Sequence, residues 1–527
     1  MSVLGIRDLG VEDLAASFET KTETGQKLLR SHLEAPSTDH ATIQALQEKL
    51  RTIKTICRSE GSAISAAHQV LHDTEADVIS IRDAAADKRH AEYYKQIMWD
   101  SGSRFAWINK IDWVGEIVLF FRTIFLPGLA VLLPLVVFIA PFFVYHFILK
   151  QPLSFGQYLE IVQTALKKTV PSVLGKPRFA GRGGIAEAGE QFIHIGVSLA
   201  MFGASMWNQV SAALNMRRVA ADMRRRADSL RRFSAATAVI SAKLGLATSI
   251  PDWPEGDLAL FGSAWNDSAL IEKLLAEAGR LDMFIAVATK KRTCFVSAGS
   301  HIDIQDIYHP GITPEKRVYN SIQMDGSGAH VLLTGPNRGG KSTLLKSLGA
   351  AVLMAQTFGI AFARKATMPI FGHIITALSP TDTLGKMSLF EAEIEFAKDV
   401  RARIAGRTAD EPVFLMMDEI FHGTNAHDGV EASQVFLDDL YQSGSNVFSV
   451  VSTHYMDLPA RYGGSLAQTL CMDAAVDSTD PDRLIYSYRL TPGINRYSSV
   501  REILRERGLL LSRGLPDEKR SESGSKA

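Results

Sequence analysis

The sequence predicts an α/β domain in the C-terminal part of the chain, helices before it, and an apolar segment set among those helices. Three observations carry this. The run AHVLLT, the loop Gly335–Ser342 (GPNRGGKS) and the run TLLKSLGAAVLMA read as strand, glycine-rich turn and helix. Two further apolar runs read as buried strands: PVFLMMDEI ends in Asp418 and Glu419, and NVFSVVSTHY leads into Thr453 and His454. From Thr123 to Leu149 there is no Asp, Glu, Lys or Arg.

The loop fits the phosphate-cradling pattern G-x-x-x-x-G-K-[ST] in full, and its strand–loop–helix setting is what that pattern needs. Gly335, Gly339 and Gly340 let the backbone curl so that its N–H groups face a phosphate, and the helix N-terminus adds partial positive charge. Lys341 is placed to reach the terminal phosphates, and the Ser342 hydroxyl to hold Mg²⁺. Pro336, Asn337 and Thr343 complete the nucleotide-binding string. An acid ending a buried strand beside such a loop organises the metal, and the next acid can polarise water. Asp418 is therefore assigned to Mg²⁺ and Glu419 to the base role. His454, at the carboxyl end of a parallel strand, contacts the terminal phosphate or the water, or else caps a turn.

These residues resemble the ATPase of the MutS mismatch-repair family. TGPNRGGKST matches that family's TGPN-x-GGKST. Asp418, Glu419, Ile420, Gly423, Thr424, Asp428 and Gly429 follow its DEI-x-x-GT-x-x-x-DG, and Thr453, His454 and Tyr455 its THY. Ser388, Leu389, Phe390, Glu393 and Ile394 resemble its signature S-T-F-x-x-E-M. His309–Pro310 and Asn320 fall where the family has a His-Pro pair and an Asn, and Gln356 where it often has a Gln that the resemblance assigns to the nucleotide site. Together these cover about residues 280 to 500.

The resemblance implies an ABC-class ATPase that binds ATP and Mg²⁺ and completes each site across a homodimer. Ser388 would then reach the partner's nucleotide in trans, and Asp428 would lie at the dimer seam. Ser388 also reads as a helix N-cap, with Glu391 three residues on; the two roles are compatible. The chain departs from the family at Lys386 and Gly385 before the signature serine, at His422 in place of an Arg, and over Arg496–Val500 in place of S-Y-G-I. Mismatched or distorted DNA is the partner that the resemblance implies.

Residues 20–53, with Thr22 and Gly25 in a T-x-x-G-x-x-x-L pattern, and residues 269–288 resemble the two ends of the family's helical core. No mismatch-reading segment is identified before the first of these. Where the family carries levers and a clamp, this chain has TIFLPGLAVLLPLVVFIAPFFVYHFIL, long enough to span a bilayer and too far along to be a signal peptide. Pro127, Pro134 and Pro141 would each cost about 3 kcal/mol inside a soluble helix. Residues 191–216 form a second uncharged run, with Gly196, Ala200, Gly203 and Ala204 suited to close packing. Seven arginines follow between 217 and 232, fitting either an anionic lipid edge or DNA phosphate.

The expected organisation is a helical segment over 1–110, membrane helices over 117–149 and 191–216 joined by a loop over 150–190, and a helical segment over 217–300. The ATPase domain follows over 301–500, and a polar, disordered tail over 512–527. The hairpin makes the chain a multi-pass membrane protein with its ATPase domain in the cytoplasm. The chain has 57 basic and 57 acidic residues, which excludes a general polyanion binder, and its three separated cysteines suit a reducing compartment. The alternative function is a membrane ABC-class machine or tether with no direct DNA role.

Overall fold

The computed structural model describes residues 2–86, 92–100, 102–150, 184–326, 329–378, 388–408, 411–444, 446–480 and 482–509, with parts of 152–164. The expected tail over 512–527, Gly385 and Lys386, and most of the loop over 150–190 lie outside the described residues. The chain divides into two units, one of residues 1–65, 243–245 and 278–527, the other of 66–242 and 246–277.

In the first unit the strands run β1 (Ser2–Leu4), β2 (Cys294–Ala298), β3 (Ile302–Ile307), β4 (Asn320–Met324), β5 (His330–Thr334) and β6 (Ile360–Ala361). They continue as β7 (Lys365–Met368), β8 (His373–Ala377), β9 (Val413–Met417), β10 (Val447–Ser452), β11 (Gln468–Val476) and β12 (Leu484–Pro492). Seven of them form a sheet in the order β1-β8-β9-β10-β5-β11-β12, parallel except for the edge strand β12. β5, β9 and β10 are buried along their whole length, as strands covered on both faces by crossover helices must be. The crossover helices are Lys341–Phe358, Leu389–Ala405 and Ala426–Tyr441. The register Ser452↔Leu333 and Val451↔Met417 brings the carboxyl ends of β5, β9 and β10 level with one another. A second, five-stranded sheet runs β4-β3-β7-β2-β6.

The first residues of the chain are not purely helical: β1 pairs in parallel with β8, Leu4 opposite Ile375. The segment that follows is pinned by a buried carboxylate. Asp282, on the helix Ser268–Thr289, accepts from the Thr22 hydroxyl (2.6 Å), the Thr22 N–H (2.7 Å) and the Lys21 N–H (3.0 Å). Thr22 also caps the helix Glu23–Glu34. A Cβ at Gly25 would lie 2.4 Å from Asp282 Oδ2, which accounts for the glycine of the T-x-x-G pattern. Residues 1–65 and the ATPase sheet lie in one unit.

The second unit is helical. Its main elements are most of the helices Gly61–Ala86 and Gly184–Leu244, the helical run Asp112–Ile148, and the helix Asp257–Asn266. The run Asp112–Ile148 widens into π-turns at Phe121–Phe125 and Val144–Ile148. Pro127 lacks the N–H that Thr123 would otherwise receive, and the wider turn just before it takes up that mismatch. Trp113, Leu132 and Ile148 are 65%, 58% and 72% exposed, so this is no core helix.

Among the described residues one helix, Asp112–Leu133, is long and apolar enough to cross a membrane, with Ile139–Ile148 a shorter apolar stretch. The expected hairpin is not supported. Gln191, Ser198, Ser205, Asn208, Gln209, Ser211 and Asn215 carry no charge but dilute the second run with polar groups. That run is part of the 61-residue helix Gly184–Leu244. The arginines after it are largely committed within their own unit. Arg224 pairs with Glu116 at 2.6 Å, Arg225 with Asp77 at 2.7 Å, Arg226 with Asp222 at 3.0 Å and Arg231 with Asp257 at 2.9 Å.

Candidate functional site: a phosphate loop and two strand-end acids

β5 delivers the chain into the loop, and two glycines there adopt backbone that side chains disfavour: Gly335 at φ 144° and Gly340 at φ 98°. A Cβ at Gly335 would lie 3.1 Å from Met472 Cβ. The helix Lys341–Phe358 begins at the next residue. Lys341 is 5% exposed, and its ammonium donates to the carbonyls of Gly335 (3.0 Å) and Pro336 (3.4 Å). Burial pulls its pKa below the usual lysine value, against the opposing pull of Glu419 and Asp418. It is a cation held at the mouth of the loop with few partners of opposite charge, which is what a phosphate binder needs.

The acids arrive from the neighbouring strand ends. Asp418 Oδ2 accepts from the Ser342 hydroxyl at 2.5 Å, and its other oxygen accepts from the Ser452 hydroxyl at the end of β10. Ser452 Oγ in turn accepts from the Glu419 N–H at 2.9 Å. Glu419 has φ 53° and Phe421 φ 49°, so the chain leaves β9 through a left-handed turn that swings the Glu419 side chain toward the loop. There Glu419 Oε1 lies 2.7 Å from His454 Nε2. That hydrogen bond, helped by the nearby Lys341 ammonium, holds the Glu419 carboxyl below the usual carboxylate range despite its burial.

A cavity of about 590 Å³ opens over the loop. Pro336, Asn337, Gly340, Lys341, Ser342, Thr343 and Glu419 line it, as do His309 and Asn320. Gly335 and Gly339 shape the loop from behind. Asp418 and His454 join it through Ser342 and Glu419. The Ser342 hydroxyl and the Asp418 carboxylate are hard oxygen donors, and Mg²⁺ commonly takes one or two such protein ligands beside phosphate oxygens. These residues fit that ion. When bound it would neutralise phosphate charge.

Three assigned residues stand apart from the cavity. Gln356 lies fifteen residues along the phosphate-loop helix from Lys341, about 22 Å away at 1.5 Å per residue. Its amide is used there by Phe371, accepting from the N–H at 3.0 Å and donating to the carbonyl at 2.9 Å. Its assignment to the nucleotide is corrected accordingly. Ser388 is the N-cap of the helix Leu389–Ala405 in a full capping box with Glu391. Asp428 is exposed, its N–H held by Asn425 at 3.0 Å. The sequence reading missed Tyr308, Ile312, Val318, Met472 and Tyr488, which wall the cavity from β11, β12 and the stretch after β3. It also missed Ser452, although that serine stood directly before Thr453–His454 in the strand already identified.

A parallel sheet with its phosphate loop after one strand and paired acids after a neighbouring one defines a P-loop ATPase domain. Residues 331–505 match the family model for MutS domain V. The chain is 29% identical over 204 residues to the DNA mismatch repair protein MutS of Shouchella clausii, covering 36% of this chain and 22% of that protein. It is 30% identical over 229 residues to the Endonuclease MutS2 of Latilactobacillus sakei subsp. sakei (43% and 27%), and 29% identical over 228 residues to that of Bacillus cereus (43% and 28%). Through this domain the chain is similar to the MutS family. The match spans about a quarter of the length of these relatives.

Proposed function

We propose that this chain binds and hydrolyses Mg-ATP as a homodimer, and that the nucleotide cycle is coupled to binding of mismatched or otherwise distorted DNA. The observation that carries the reading is the constellation of Lys341, Ser342, Asp418, Glu419 and His454 on the carboxyl ends of three adjacent parallel strands. In this reading the loop N–H groups and Lys341 bind the phosphates, Ser342 and Asp418 hold Mg²⁺, and Glu419 takes the proton of the attacking water. The exposed Ser388 cap and the exposed Asp428 supply the dimer contacts, Ser388 to the partner's nucleotide in trans. We also place the chain at a membrane with its ATPase domain on the cytoplasmic side, where ATP is available. The apolar helix Asp112–Leu133 supports the membrane location only. Because β1 shares a sheet with the ATPase strands, the chain must enter and leave the bilayer on one side.

A second reading, an ATP-driven membrane machine or tether with no direct DNA role, is favoured by the arginine run. Four of its seven arginines, Arg224, Arg225, Arg226 and Arg231, are paired with carboxylates of their own unit, which leaves fewer guanidinium groups for phosphate.

The test is DNA binding by the detergent-purified full chain at one fixed salt concentration. Homoduplex, single-mismatch and branched DNA are compared with and without ATP, using Glu419→Gln to hold the nucleotide-bound state. Tighter, ATP-dependent binding to mismatched or branched DNA supports the first reading. Binding that never rises above the salt-sensitive homoduplex level leaves the second.

A further inference from the structure

The turn that carries Glu419 is held from the side by a residue with no role assigned so far. Glu393 projects from the helix Leu389–Ala405, its side chain 12% exposed. One carboxylate oxygen lies 2.9 Å from His422 Nδ1, and the other accepts from the Gly423 N–H at 3.1 Å. The same His422 nitrogen lies 2.9 Å from the Glu419 carbonyl oxygen. Both neighbours of that nitrogen are acceptors, so it carries the proton and shares it between them. Glu393 thus reaches the backbone of Glu419 through one imidazole and the end of the turn through one N–H.

The packing leaves little slack. A Cβ at Gly423 would lie 2.8 Å from Leu389 Cγ and from the Phe390 nitrogen. On the opposite side the Tyr455 hydroxyl donates to the Phe421 carbonyl at 2.8 Å. Glu419 and Phe421 both keep left-handed backbone, which persists only where the surroundings hold it.

We infer that Glu393 is a positioning residue for ATP hydrolysis: through His422 and Gly423 it fixes the turn that aims Glu419, and so ties the base to the helix capped by Ser388. The inference rests on the reading of this site as an ATPase. A shift of that helix at its Ser388 end reaches Glu419 along this route.

The experiment measures ATP turnover and ATP KM of the full chain for wild type, Lys341→Ala, Glu393→Ala and Glu393→Gln. Wild-type turnover that Lys341→Ala abolishes secures the ATPase reading on its own; an inactive wild type overturns that reading and this inference with it. Glu393→Ala is expected to lower kcat about 10- to 100-fold, the scale of a misplaced catalytic group, while KM stays within about twofold. Glu393→Gln keeps one amide acceptor for the turn and is expected to recover part of that loss. Wild-type kcat in Glu393→Ala overturns the inference. If the alanine variant does not fold, the glutamine variant decides: reduced kcat at unchanged KM supports the positioning role, and wild-type kcat removes it.

Discussion

His454 Nε2 donates to Glu419 Oε1 across 2.7 Å, linking the ends of β10 and β9. This bond is the largest cause of the depressed Glu419 pKa. A carboxylate held ionised can accept a proton from water, whereas an imidazole whose Nε2–H points at that carboxylate cannot accept one there. In the proposed reaction Glu419 is therefore the base, and His454 orients it.

Replacing His454 with Ala removes the donor and lets the Glu419 pKa rise toward the ordinary value. A base with a raised pKa is protonated sooner on acidification, so the acid limb of the pH–kcat profile moves to higher pH. The rate should also fall by about 10- to 100-fold while ATP binding is retained. An acid limb that does not move would show that His454 does not tune Glu419.

His330 opens β5 with its ring buried against Tyr441 and its Nδ1 2.9 Å from the Ser449 hydroxyl. Burial pushes its pKa down to about 4. Below about pH 6.5 the unfolded chain takes up a proton that the folded chain refuses, so stability falls as pH drops from about 6.5 to about 4, by up to about 3 kcal/mol. Thermal unfolding of His330→Gln across that range should show a flatter pH dependence than wild type; parallel curves would contradict the assignment.

Asp282 collects two N–H groups and a hydroxyl from Lys21 and Thr22 in the core of the first unit. Asp282→Ala strands all three donors and should cost about 3 kcal/mol or more, with Asp282→Asn intermediate because one acceptor oxygen survives. Denaturant unfolding checks this ranking. Equal stability of the three proteins would mean that the N-terminal segment is not anchored here.

The helix Asp112–Leu133 exposes apolar side chains along its length. Expressed in cells, the full chain should sediment with membranes and resist alkaline carbonate. Release into the supernatant would assign this surface to a protein partner instead.

What could be read from the sequence was local chemistry. The loop from Gly335 to Ser342, the acids at the end of β9 and His454 after β10 each announce themselves within a few residues, because a tight turn or a strand end fixes where the side chain goes. The cavity wall was not legible, since Tyr308, Met472 and Tyr488 come from separate strands that only the sheet order brings together. Gln356 was assigned to the nucleotide by resemblance alone, and in the fold its amide serves the Phe371 backbone at the far end of the phosphate-loop helix. The three residues of β1 are too short a run to signal a strand. The second membrane span failed on neutral polar residues, which a count of charges overlooks. The arginine run looked free because its partners, Asp77, Glu116 and Asp257, are scattered through the sequence.

The central claim is that Lys341 and Glu419 divide nucleotide binding from nucleotide hydrolysis at one site. The most direct measurement is ATP binding and single-turnover hydrolysis by the full chain with each residue replaced in turn. The account predicts that Lys341→Ala loses both, while Glu419→Gln binds ATP at near wild-type affinity and hydrolyses it at least about 100-fold more slowly. Wild-type hydrolysis by Glu419→Gln, or undiminished binding by Lys341→Ala, would contradict it.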